Sequence, residues 1–371
     1  MKIGIDARFL THPQCGGFKS YTHTIISALA ETDAVNQYIL YTDRPPDTAF
    51  RLPANFEIKP VTVRNGILRE QFFIPFAMRR DHLDLAHFPC NTAPVFPGTK
   101  MVVTIHDAIP LHQSRKPSRR NIKNRLLNTY WRTMIPRSAR RAVMLITDSE
   151  HARNDLCAKL NLPAERIRVV YLALNPIFTG IGGCIPPAEL SIGMPFILAF
   201  ASPDGRKNHP IAIEAYRKAC QGSSKPKLAL VCSHPSVRSE NECTPSDGII
   251  PLGPVALEEL LWLYRNAQAL VFPSIDEGFG LPPLEAMACG TPVIASSAGS
   301  LQEVLGDSAV YVDPMNAADI ARGMQLVLGD ESLRDSLIHR GRERAARFSR
   351  EQMGRELTAI YREAVGLGGL P

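Results

Sequence analysis

Short apolar runs alternate along the chain with stretches whose apolar positions recur at three- and four-residue spacing, the pattern of parallel strands joined by crossover helices. Strands are predicted at Lys2–Ile5, Tyr38–Tyr41, Met101–Ile105, Met144–Thr147, Ile167–Val170, Phe196–Phe200, Lys227–Val231, Ala269–Phe272, Thr291–Ala295 and Ala309–Val312. The alternation breaks between Pro176 and Pro195, where eight of twenty residues are Gly or Pro, and this stretch reads as a linker. The reading is an α/β protein of two doubly wound domains, residues 1–175 and 195–345, joined by a linker over 176–194. From Asp319 the chain is helical in pattern and rich in Arg and Glu, and a last helix over 346–371 is expected to return to the first domain.

Composition supports two buried cores: 371 residues, 45% hydrophobic and 21% charged, which excludes disorder and collagen. No run approaches the ~18 apolar residues of a membrane-spanning helix. Met1-Lys2-Ile3-Gly4-Ile5 begins as a strand, with no charged leader or apolar signal core, so the expectation is a cytoplasmic protein. The eight cysteines form no Cys-x-x-Cys and lie near no histidines at zinc spacing, so they read as reduced, mostly buried thiols.

Charge divides the chain. Residues 1–200 hold 25 Lys and Arg against 15 Asp and Glu, whereas residues 201–371 hold 17 against 21. Between Arg115 and Arg141 there are ten basic residues and no acid, among them Arg115, Lys116, Arg119, Arg120, Arg137, Arg140 and Arg141. In that run Ile122, Leu126, Tyr130 and Met134, with Leu127 and Trp131, recur at helical spacing. A basic amphipathic helix suits an anionic membrane surface or a phosphorylated partner, and the same pattern also fits the solvated face of a core-packed helix. Nucleic acid is not indicated, since no aromatic-interleaved basic strand, zinc site or helix-turn-helix signature is present.

The stretch from Phe272 to Ala295 carries the most chemistry. A strand ends in a loop with Gly278 and Gly280, Pro282 and Pro283 fall where a first helical turn tolerates them, and Gly290 sits where a helix is capped. Such a strand, loop and helix places backbone N–H groups at the carboxyl edge of a parallel sheet, where a diphosphate finds donors and a positive local field. Glu277 and Glu285, with seven residues between them, bracket the loop. One can face a ligand group beyond the phosphates while the other, in the first helical turn, accepts from vicinal hydroxyls. The blander alternative makes Glu285 a favourable acid near a helix N-terminus and Glu277 a loop acid.

Those residues, with Glu285-Ala-Met-Ala-Cys-Gly-Thr-Pro-Val-Ile-Ala295, resemble the retaining nucleotide-sugar glycosyltransferases of family 4, which have the GT-B fold: two Rossmann-like domains facing each other across a cleft. The likeness extends to Gly16-Gly17, His106-Asp107, Thr147-Asp148-Ser149, Val169-Val-Tyr-Leu and Arg206-Lys207-Asn208. The resemblance implies that Glu285 binds the ribose hydroxyls of the donor, that Glu277 lies beside the hydroxyls of the transferred sugar, and that the backbone of Gly278, Phe279, Gly280 and Leu281 holds sugar and diphosphate. Arg206 and Lys207 match the family's basic pair, and charge accumulating on the leaving diphosphate creates a need for them. Apart from the family, they read as an exposed helix-start pair. Where many members have Arg after this strand, the chain has Ala201-Ser202, so Ser202 is the candidate phosphate contact there.

In the first domain Gly16 and Gly17 permit close backbone approach to a ligand but do not form a dinucleotide fingerprint. By resemblance His106 contacts the donor sugar. Asp107 can orient His106, approach the acceptor hydroxyl or cap the next turn. The resemblance further implies metal-independent, same-face transfer as the cleft closes, and no Asp-x-Asp occurs to bind a metal. GDP-mannose is the leading donor and UDP-hexoses are next. The resemblance implies an acceptor that is polyprenyl-diphosphate-linked or a glycolipid, and the expectation is a peripheral enzyme on the inner membrane face in bacterial surface polysaccharide synthesis. A nucleotide-sugar epimerase of the same fold and a non-catalytic nucleotide-sugar-binding protein are the alternatives.

Overall fold

The computed structural model describes residues 1–11, 17–45, 51–111, 122–180, 182–190, 195–220, 225–232 and 248–366. They form two compact units, one of Met1–Ala173 with Ser349–Pro371 and one of Leu174–Phe348.

The first unit holds seven strands: β1 (Lys2–Asp6), β2 (Gln37–Thr42), β3 (Phe56–Pro60), β4 (Leu85–Phe88), β5 (Met101–Thr104), β6 (Met144–Thr147) and β7 (Ile167–Val169). All are parallel, in the order β3-β2-β1-β4-β5-β6-β7. Strands covered on both faces tolerate only apolar or internally bonded side chains, which is why β5 and β6 read as continuous apolar runs and are buried throughout. The second unit holds β8 (Phe196–Ala201), β9 (Lys227–Cys232), β10 (Ile249–Leu252), β11 (Ala269–Phe272), β12 (Val293–Ser296) and β13 (Ala309–Val312), also parallel, in the order β10-β9-β8-β11-β12-β13. In each sheet the winding direction reverses beside the first strand, between β1 and β4 and between β8 and β11. Ligands of open α/β sheets bind at such switch points, outside the carboxyl ends of the strands.

Three strands escape the apolar-run criterion, each for a physical reason. β4 carries His87 in mid-strand, fully buried, sharing hydrogen bonds with Tyr361 Oη (2.7 Å) and Thr104 Oγ1 (2.8 Å), and burial pushes this imidazole down to about 3. β3 and β10 are edge strands. β3 alternates charged and apolar residues, and β10 contains Pro251, tolerated where one side of the strand needs no ladder bonds.

The stretch read as a linker is fixed to the second unit. Pro176–Thr179 forms a helical turn whose buried Phe178 meets Tyr264 edge-on at 5.6 Å. Arg265 donates to the carbonyls of Gly180 (2.6 Å) and Gly182 (2.9 Å), so this Gly- and Pro-rich backbone is held by satisfied carbonyls as well as by the Phe178 ring. The helix Arg350–Gly366 belongs to the first unit. It lies on the helix Gly17–Thr32, and a Cβ on Gly354 would come within 2.6 Å of the Ala28 carbonyl, so glycine sets the approach. Arg350–Glu31 and Arg168–Glu363 ion pairs flank this contact.

Candidate functional site

In the second unit, the loops after β8 and β11 are bonded directly to each other at the switch point. The Arg206 carbonyl accepts from the Ile275 N–H (2.8 Å) and Ser274 Oγ (2.9 Å). Asn208, in the left-handed region at φ 53°, donates to the carbonyls of Pro273 (3.2 Å) and Pro314 (2.6 Å). This stitching brings Lys207 to Glu277, with Nζ 2.6 Å from Oε1 and 5.0 Å from the centroid of the Phe272 ring. Glu277, 9% exposed, also accepts from Ser274 Oγ at 2.6 Å. Arg206 points differently: its guanidinium grips Asp204 (2.7 Å), and the Asp204 N–H donates to Ser202 Oγ (3.2 Å).

The loop from Glu277 to the helix Leu281–Cys289 is shaped by two glycines. Gly280 has φ +100°, and a Cβ there would fall 2.5 Å from Leu301 Cδ2. Gly299, at φ +60° in the loop after β12, lies so close to Glu277 that a Cβ would come within 2.4 Å of its carbonyl oxygen, which accepts from the Ser300 N–H and Oγ, both at 3.1 Å. Phe279 is 5% exposed and edge-on to Phe348, so its ring anchors the loop. Pro282 occupies the first turn and Gly290, at φ +83°, closes the helix.

Glu285 stands in the second turn of that helix, not the first. Tyr264 Oη donates to its Oε2 at 3.0 Å, and burial pushes its carboxyl up to about 7. Neither Ser274, Tyr264 nor Gly299 is singled out by sequence. Each supports a named glutamate, and only the fold reveals the pairing.

The first unit carries a cavity of about 650 Å³ at its own switch point. Its walls include Phe9, Phe18, Tyr130 and Trp131, with Arg8, Lys19 and Glu70 among the polar groups. Gly17, expected in a loop, is the first residue of the helix Gly17–Thr32 and lines this cavity. Behind the cavity lies a charge network. Asp6, 1% exposed, accepts from Arg8 Nε and Arg69 Nη1, both at 2.8 Å. Glu70, also 1% exposed, accepts from Arg8 (2.6 Å), Thr92 (2.8 Å), Tyr130 (2.5 Å) and Gln71 (3.0 Å).

His106 follows β5 at the same sheet edge, but its ring is committed within the unit. Nδ1 lies 2.7 Å from Asp148 Oδ2 and Nε2 lies 3.0 Å from the Pro89 carbonyl. Both partners only accept, so both nitrogens carry protons. Burial alone would lower this pKa, yet the Asp148 carboxylate raises it to about 10. A hydrogen bond to a sugar would therefore have to replace one of these two. Asp107 caps the following turn, its Oδ1 accepting from the Ile109 N–H at 2.9 Å.

Of the basic run, Arg137, Arg140 and Arg141 are exposed on the helix Ile122–Arg141, whose Met134, Ile135, Ser138 and Ala139 are buried. Gly16, Arg115, Lys116, Arg119 and Arg120 lie outside the described residues. Among the described residues no helix is long and apolar enough to cross a membrane.

A model described as Glycosyltransferase Family 4 matches residues 15–176, and one described as Glycosyl transferases group 1 matches residues 189–344. The O-antigen chain mannosyltransferase B of Escherichia coli is 29% identical over 231 residues, 60% of this chain and 61% of that protein. The O-antigen chain mannosyltransferase RfbU of Salmonella typhimurium is 29% identical over 241 residues, 59% and 62% of the two chains. The aligned part thus spans about three-fifths of these relatives. Sucrose-phosphate synthase from Thermosynechococcus elongatus has a TM-score of 0.71 at 22% identity, covering 98% of each chain, and the two parallel sheets with their helices are of the GT-B type.

Proposed function

Since this chain belongs to glycosyltransferase family 4, we propose that it transfers a hexose, mannose in our reading, from a nucleoside-diphosphate sugar to a lipid-linked or glycan acceptor in bacterial surface polysaccharide synthesis, retaining the anomeric configuration. The observation that carries this reading is the Lys207–Glu277 pair, held at the second sheet's switch point beside the N-terminus of the helix Leu281–Cys289. On donor binding, Lys207 exchanges Glu277 for a diphosphate oxygen, and Glu277 turns to the hydroxyls of the sugar. Arg206, Ser202 and the backbone N–H groups from Gly278 to Leu281 take the remaining phosphate oxygens. As the glycosidic bond breaks, negative charge grows on the diphosphate, and these donors meet it without a divalent ion. The departing phosphate oxygen helps take the proton of the incoming hydroxyl on the same face. Glu285 accepts from the ribose. GDP-mannose is the leading donor and a UDP-hexose the next.

The acceptor's sugar belongs in the aromatic cavity of the first unit, where Phe18, Tyr130 and Trp131 offer faces for its rings. His106 acts there by position: paired with Asp148 and Pro89, it fixes the loop after β5. The exposed Arg137, Arg140 and Arg141 favour an anionic membrane as the place where such an acceptor is met, at ~1 kcal/mol per engaged side chain.

A thermal-shift panel with GDP, UDP, ADP and dTDP, followed by their sugar conjugates, tests the donor reading. One nucleotide, expected to be GDP, stabilises the protein most, and stabilisation by none of them overturns the proposal. Because the Glu285 carboxyl titrates at about 7, nucleotide affinity is expected to fall as pH drops through that value. The limit is about tenfold per pH unit, the change expected when one required group gains a proton. Glu285→Gln is expected to remove this dependence, and a pH profile unaltered by that change would count against the ribose contact.

A further inference from the structure

On the first unit, residues 67–80 turn an apolar side to solvent. Arg69, Glu70, Ile74 and Met78 face inward, while Ile67, Leu68, Phe72, Phe73 and Phe76 face outward. Phe72 is 66% exposed and Phe76 71%. A π-helical turn over Arg69–Phe73 lies between two short α-helical pieces and presents two adjacent phenylalanines on the outside. Phe96, 66% exposed, continues the face, and the Arg141 guanidinium lies 5.4 Å from its ring centroid. Three segments are bonded together here. The Gln71 side chain reaches Tyr130 Oη (3.0 Å) in the helix Ile122–Arg141 and the Val95 N–H (3.1 Å).

A row of phenylalanines left in water is unusual for a surface with no partner. Its rim is cationic: Arg79 and Arg80 on one side, and Arg137, Arg140 and Arg141 on the other, are all exposed. Within residues 64–80, 93–98 and 127–141 the only acid is Glu70, and it is buried. A second copy of the chain docking here about a two-fold axis would bring arginine rim against arginine rim. An anionic lipid surface instead offers acyl boundary to the rings and phosphates to the guanidiniums. Ile67 and Leu127, both exposed, also line the mouth of the aromatic cavity, so this face and the cavity share an edge.

We propose that this face inserts into the interface of an anionic phospholipid bilayer, with Phe72 and Phe76 as the apolar anchors and the arginines on the headgroups. It extends the lipid-linked-acceptor reading above, which assigns the membrane only an electrostatic role, and would deliver such an acceptor to the cavity's edge.

Sedimentation of the full chain with phosphatidylcholine vesicles, with and without phosphatidylglycerol, tests it. Binding is expected with phosphatidylglycerol. The double variant Phe72→Ser/Phe76→Ser should lower partitioning at least about tenfold, as expected on losing two inserted rings, and Arg137→Glu/Arg140→Glu/Arg141→Glu should erase the preference for the anionic lipid. In a Phe76→Trp variant, the emission gained over the parent should shift to the blue on adding vesicles. Equal partitioning of the serine variant, or an unmoved Phe76→Trp emission, overturns the proposal. So does a lipid-independent dimer that the serine changes dissolve, which would make the face a contact between copies. Both substituted side chains are exposed, so an unchanged melting temperature in the serine variant verifies its fold. Vesicle insertion by a protein that no nucleotide stabilises would leave this inference standing and remove the transferase reading; nucleotide stabilisation without insertion would do the reverse.

Discussion

Lys207→Ala is expected to slow glycosyl transfer by about a hundredfold to a thousandfold, the magnitude typical when one preorganised donor to a developing charge is removed. The side chain is already placed at the switch point by the turn bonds of Arg206 and Asn208, so in the proposed reaction little reorganisation is needed for a diphosphate to replace the Glu277 carboxylate as its partner. Because the charge it meets is larger in the transition state than in the bound donor, the loss should fall mainly on kcat, with KM changed much less. Arg206→Ala is expected to act in the same direction, its guanidinium exchanging Asp204 for a phosphate oxygen as Lys207 exchanges Glu277. Steady-state kinetics with saturating acceptor, alongside the nucleotide-induced thermal shift, separate the two effects. A Lys207→Ala enzyme within a few-fold of the parent in kcat would remove Lys207 from the chemistry.

Asp6→Ala is expected to destabilise the first unit by about 3–5 kcal/mol, as when one partner is taken from a buried ion network. The carboxylate serves two guanidiniums, Arg8 and Arg69, and Arg69 is itself 2% exposed. Asp6→Asn should retain part of the bonding and lose less. Burial on its own would raise this carboxyl, but Arg8 and Arg69 hold it below its usual value. The folded pKa is thus below the unfolded one, so the network's contribution is fully present above the ordinary carboxylate range and disappears as pH falls through the lowered value. Urea denaturation at a series of pH values, followed by a probe in the first unit, should show a steeper acid loss in the parent than in Asp6→Asn. Parallel pH profiles would show that Asp6 is not the group responsible.

What was legible in the sequence is what local pattern encodes. The loop and helix from Glu277 to Gly290 announce themselves through glycines and prolines at fixed offsets, and strands such as β8 and β11 through apolar runs with no internal polar group. The buried networks were not legible. Glu70 reads as an ordinary charged residue beside Arg69, and only the sheet order brings Arg8, 62 positions earlier, against it. Asp148 lies 42 positions from His106, in a string noted only as part of the family likeness, yet it decides that imidazole's charge. The exposed phenylalanines between 72 and 76 were equally hidden. Their spacing fits a core helix, and only the π-turn and the inward commitment of Arg69, Glu70, Ile74 and Met78 turn them outward.

The helix Arg350–Gly366 closes against Ala28, and its Tyr361 bonds His87, so the first unit is assembled from two separate lengths of polypeptide. The two crossings lie side by side, with the Leu174 N–H donating to the Phe348 carbonyl at 3.1 Å. A fragment cut after Ala173 would therefore leave His87 and the Ala28 face bare, whereas splicing Ala173 to Ser349 would excise residues 174–348 as a cassette and leave the remaining half covered.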